Sequence, residues 1–215
     1  MKLRLRISVA LLLALGSGFN AEAQHFNKIG IDLSKALPIV YQRGIVVEPF
    51  ASYTLQDSAF SIVGVFGYSD VRMDTVYQNM TYYNKGYYGK VGFDYDFSKH
   101  WSLGMMMIYS AFDEYGRSTF KGSYFGDWQV QLNQNQQRLF GLEYHMDFWA
   151  NISHHLLFNI QSRVAMRLSK TYDPYFGNYY APGFGLMQVF TADSDKKTSA
   201  QLLSGGLSVR LVYKF

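Results

Sequence analysis

Glu143, His145 and Asp147 recur at every second residue, and a carboxylate beside an imidazole is acid–base equipment. On a strand this spacing sends all three side chains to one face. His145 is the one plausible base for a lipid A-modifying acyl hydrolase or transferase, but no serine in a recognisable nucleophile setting accompanies it. The weightier reading places His145 in a network of charges that its strand face must satisfy. His154 and His155 are adjacent, so on a strand they point to opposite faces, and no third ligand is in evidence; surface histidines are expected rather than a metal site. The expectation is therefore no catalytic residue, no metal and no cofactor.

The elements that must position these residues read as strands. Alternation of apolar and polar residues places them near 26–35, 44–54, 59–70, 86–97, 101–112, 137–149, 154–168 and 201–215. Tight turns at 56–58, 98–100 and 150–153 alternate with longer intervals at 36–43, 71–85, 113–136 and 169–200. Short periplasmic turns and longer extracellular loops are the pattern of an outer-membrane barrel. The expected fold is thus all-β: a transmembrane antiparallel up-and-down barrel of eight strands, with both termini in the periplasm.

Export is read from the first 23 residues. Lys2, Arg4 and Arg6 precede an apolar run from Ile7 to Leu15, and Ala21-Glu22-Ala23 offers a cleavage site. That run is shorter than the roughly 20 residues of a spanning helix, so a membrane protein here must be a barrel. Residues 1–23 are expected to be a cleaved signal peptide and 24–215 a single barrel domain of the bacterial outer membrane. Removing the signal lowers the formal charge of +4 to about +2. Basic residues are scattered, which argues against a nucleic-acid partner. The chain has no cysteine, so no lipid anchor, disulfide or thiolate chemistry is available.

Strand parity then assigns faces. Tyr87, Gly89, Val91, Phe93, Tyr95 and Phe97 share the lipid side, as do Trp101, Leu103, Met105, Met107 and Tyr109 on the next strand. Phe140, Leu142, Tyr144, Met146 and Phe148 follow, with Leu156, Phe158, Ile160 and Val164. Tyr and Trp at strand ends form interfacial girdles. The opposite face carries Lys28, Asp32, Glu48, Lys90, Asp94, Asp96, Glu143, Asp147, Arg163, Arg167, Arg210 and Lys214, six acids and six bases, with His145 among them. A barrel of about eight strands is only wide enough to be filled by side chains, so these charges must pair. A salt-bridged plug is expected rather than a pore.

Function would then be exposed at the loops. Tyr124, Phe125 and Trp128 in the interval 113–136 are a candidate partner-binding patch; packing over the barrel mouth is the alternative. Tyr213 and the terminal Phe215 close the last strand as a barrel signal.

The segment from Gly86 to Tyr95, Trp128 with the strand pair after it, Ala181-Pro182-Gly183-Phe184-Gly185 and the closing strand to Phe215 carry a resemblance. The chain resembles an uncharacterised family of small Bacteroidota outer-membrane β-barrel proteins. The resemblance brings no catalytic residues with it, and it implies an accessory role beside the machinery that assembles outer-membrane proteins. The expected reading is a non-enzymatic structural or interaction subunit. Its partners would be outer-membrane lipid including lipopolysaccharide, the insertion machinery during biogenesis and other outer-membrane proteins.

Overall fold

Wherever apolar and polar residues alternate, the backbone is extended and paired. The computed structural model describes residues 27–36, 43–55, 58–74, 80–120, 122, 126–169, 180–186, 188–189 and 202–215. The expected signal peptide lies outside the described residues, as do Tyr124 and Phe125.

The strands are β1 (Lys28–Asp32), β2 (Arg43–Val47), β3 (Pro49–Thr54), β4 (Phe60–Asp74), β5 (Met80–Asp96), β6 (Trp101–Phe120), β7 (Trp128–Asn151) and β8 (Leu156–Arg167). The short β9 (Tyr180–Ala181), β10 (Gly185–Leu186) and β11 (Gln188–Val189) precede β12 (Leu202–Lys214). Among the described residues every pairing is antiparallel, and β1 closes the sheet by pairing with β3 on one side and β12 on the other. Lys28 lies opposite both Ser52 and Lys214. Because β2 and β3 both pair with β4, they form one stave, and the result is a closed barrel of eight staves.

That stave breaks at Glu48. Pro49 lacks an N–H and holds its predecessor extended. Glu48 is buried, and its carbonyl accepts the Asp32 N–H at 3.0 Å. The segment 26–35 yields a shorter strand than its sequence suggests, followed by a single 3-10 turn at Ser34–Ala36 that carries Lys35 inward.

Two intervals read as loops are largely strand. β4 and β5 stay paired to Asp74↔Thr81, and β6 and β7 to Phe120↔Trp128. Strand therefore takes in 71–74 and 80–85 of the first expected loop, and 113–120 and 128–136 of the second. The reason is that a ladder needs only backbone partners, whereas hydrophobic alternation fades where the outer face turns polar and the buried inner face holds polar residues such as Asn84 and Glu114. Tyr83 and Tyr115 stack at 4.3 Å on this extension. A bulge between Phe112 and Glu114 marks its base, opposite Gln136 at φ 57°, whose N–H donates to Asp113 Oδ1 at 2.7 Å.

The chain at 180–186 does not stay outside. Tyr180, Ala181 and Phe184 are buried inside the barrel, where Phe184 and Ala181 pack with Ile108, Phe112, Leu139 and Ala165. Gly183 makes the turn at φ +81°, and a Cβ there would stand 2.8 Å from the Tyr88 ring. Either constraint alone favours glycine. At the end of the short turns Phe50, Val63, Val65, Met106, Trp149, Leu157 and Val212 form another apolar cluster.

Candidate functional site

Between those apolar layers the inward-facing residues form one continuous ionic network. Its hub is Glu48, held at the break in the second stave. Lys35 and Tyr88 both donate to Glu48 Oε2, and Lys90 Nζ lies 3.8 Å from the same oxygen. Arg210 Nη2 approaches Oε1 at 3.7 Å. Lys90 also donates to Glu143 Oε2 at 2.8 Å, and Arg163 Nη1 reaches that oxygen at 2.9 Å. Arg163 then donates to the Gly183 carbonyl at 2.8 Å, and Ser204 Oγ donates to the Phe184 carbonyl. These two bonds anchor the inserted turn to the barrel wall.

A second part of the network lies nearer the short turns. Arg210 donates to Gln161 Oε1 at 2.7 Å and stands 3.9 Å from Asp147 Oδ1. Asn159 Nδ2 donates to Asp147 Oδ1 at 3.0 Å. His145 Nε2 meets Asp94 Oδ1 at 2.8 Å and Asp147 Oδ2 at 3.4 Å. Asp94 and His145 sit on strands that do not touch, β5 and β7, with Gly104 of β6 between them in register. A Cβ at Gly104 would lie 2.2 Å from His145 Nε2 and 2.3 Å from Asp94 Oδ1, so only glycine lets the pair form across the strand.

The chain matches the family described as a domain of unknown function (DUF6048) over residues 19–195. It belongs to that family. No curated protein matches it. In this DUF6048 barrel Asp32, Glu48, Lys90, Asp94, Glu143, His145, Asp147, Arg163 and Arg210 are all buried inside. Lys28, Asp96 and Arg167 are half-buried, with Lys28 Nζ 4.5 Å above the Trp149 ring. Lys214 corrects its assignment: it is exposed, because it is the last strand residue and lies at the rim. Its place among the interior cations is taken by Lys35, which sits beside Asp32 at 3.7 Å and on Glu48.

Other members have no strong mark in sequence. Lys35 comes inward from a turn with no periodicity to read. Glu114, which accepts the Tyr82 hydroxyl at 2.5 Å, falls where a loop is expected. Asn159 and Gln161 could be found by parity alone, since they alternate with the outward Phe158 and Ile160. Of the candidate binding patch, Trp128 is on β7 and 62% exposed.

His145 contacts Asp94 and Asp147 through Nε2, and Nδ1 has no partner among the described residues. Among the described residues none of its hydrogen-bond partners is a hydroxyl, so the base-to-nucleophile pair that acyl transfer requires is not assembled around it there.

Proposed function

We propose that this DUF6048 protein is an outer-membrane barrel, closed to solutes, that serves as a structural or interaction subunit of the envelope. The observation that carries the reading is the outer wall. From Phe97, just past β5, back along that strand the outward residues run Phe97, Tyr95, Phe93, Val91 and Tyr87, and then change to Lys85. Ten residue steps at about 3.3 Å, tilted by about 40°, span about 25 Å, the height of a membrane barrel's apolar band. On β6 the series Trp101, Leu103, Met107 and Tyr109 ends at Asp113; on β7 Met146, Tyr144 and Phe140 end at Arg138. Among the described residues no Asp, Glu, Lys or Arg faces outward within the band. Phe66 at 59% and Leu207 at 72% exposure lie on it, and so large an apolar surface belongs in lipid rather than water.

The location also draws on the signal-like N-terminus and on the resemblance to small Bacteroidota outer-membrane barrels. The closed interior argues for a non-conducting role, since cation and anion are matched side by side where a pore would need a hydrated lumen. It argues against lipid A chemistry as well, because His145 lies inside the barrel while the substrate lies outside the wall. The β6–β7 hairpin reaches past the band and exposes Tyr115, Trp128 and Val130, which makes it the surface for a protein partner. Assembly machinery of the outer membrane is one such partner.

Planar-bilayer recordings test the closed barrel. Protein whose insertion is verified by protease protection in vesicles should give no single-barrel conductance steps. Reproducible steps from inserted protein would overturn the sealed interior.

A further inference from the structure

We propose that Asp94, His145 and Asp147 form a binding site for one divalent first-row transition-metal ion, with zinc as the reference ion. The three side chains can each offer a ligand atom, and these atoms all lie within 4.8 Å of one another. Two carboxylates and an imidazole are donors that such ions accept.

Three features distinguish this cluster from an ordinary ion pair. First, both carboxylates converge on a single ring nitrogen, His145 Nε2, at 2.8 and 3.4 Å. That nitrogen carries at most one proton and cannot donate well to both, whereas a cation bonds to all three atoms at once. Second, the two separations from His145 Nε2 already fit: metal bonds of about 2.05 Å at angles of 90–109° put neighbouring ligand atoms about 2.9 to 3.4 Å apart. Calcium, with bonds of about 2.4 Å and at least six oxygens, fits this set poorly. Third, the residues are held in place. Gly104 leaves the room in which the ligands meet, and Asn159 donates to Asp147 Oδ1 while Oδ2, which also accepts from Gln161 at 3.5 Å, turns to His145. Such outer contacts orient metal ligands. The His145 side chain is fully buried, and the Asp94 side chain, 11% exposed, leaves an edge open for the ion and a water.

The test uses the full barrel, refolded in detergent after chelation, with zinc titrated by calorimetry and cobalt by its visible spectrum. We expect one equivalent of zinc, a higher urea midpoint with metal, and a cobalt spectrum of low coordination number. His145→Ala and Asp94→Asn should each weaken binding by at least about tenfold. Folding of each variant is checked by heat-modifiable gel mobility, and Asp94→Asn at the open edge serves if His145→Ala does not fold. The double variant His154→Ala/His155→Ala should bind as the parent does. Absence of stoichiometric binding by the parent overturns the site. So does binding that persists in Asp94→Asn or is lost in the surface double variant.

Discussion

Glu48→Gln should destabilise the barrel by about 3–5 kcal/mol, because it removes one partner from a buried ion cluster and leaves several cations behind. Lys35, Lys90 and Arg210 all stand within 4 Å of this carboxylate, and the Tyr88 hydroxyl donates to it. Glutamine keeps the shape, so the loss measures charge and hydrogen bonding rather than a cavity. Urea unfolding in lipid vesicles, followed by tryptophan fluorescence, gives the number. The double variant Glu48→Gln/Lys35→Met should recover part of it, since it removes an unpaired cation together with the anion. A Glu48→Gln loss below about 1 kcal/mol would mean that the interior charges are individually solvated.

A single methyl group should be nearly as damaging at Gly67. This glycine pairs with Tyr88 across β4 and β5, and the Tyr88 ring lies over it, so that an added Cβ would stand 2.0 Å from the ring. The ring has no room to retreat, because Gly183 of the inserted turn lies on another side of it. Gly67→Ala must therefore displace Tyr88, take its hydroxyl off Glu48 and disturb the turn. Overpacking and the lost hydrogen bond together predict a cost of about 3 kcal/mol. Gly64→Ala is the matched control on the same strand: a Cβ there meets nothing within 4 Å, and the residue is on the exposed side. Its effect should stay within about 0.5 kcal/mol. Equal losses at the two positions in the same urea assay would contradict the ring-over-glycine packing.

How far the fold could be read from the sequence follows from what each face borders. Where one face meets the filled interior and the other is apolar, as from Tyr87 to Phe97, alternation is unambiguous and the staves stand where it places them. Beyond Lys85 and Ala111 the outer face turns polar while the buried inner face carries Asn84 and Glu114 as well as Tyr82, so both faces hold polar residues and the apolar period fades although the strands continue. The inward course of 180–186 was equally hidden. Pro182 and Gly183 announce a turn, but nothing local says whether a turn lies over a barrel mouth or inside it; that depends on Arg163 and Ser204, distant in sequence, binding its carbonyls. Within the network, parity identifies which charges face inward, but not who meets whom. The Asp94–His145 contact skips a strand and depends on Gly104, a residue with no chemistry of its own to attract notice.

Cysteine accessibility in intact cells tests the central reading, a barrel whose apolar wall lies in lipid, most directly. The chain has no cysteine, so single substitutions at Val91, Met107 and Leu207 on the band, and at Arg117 and Asp127 on the hairpin, report without background. A membrane-impermeant maleimide should label positions 117 and 127 and leave 91, 107 and 207 unlabelled until the membrane is dissolved in denaturant. Labelling of 91, 107 and 207 at the rate of 117 and 127 would contradict the account, for the wall would then face water.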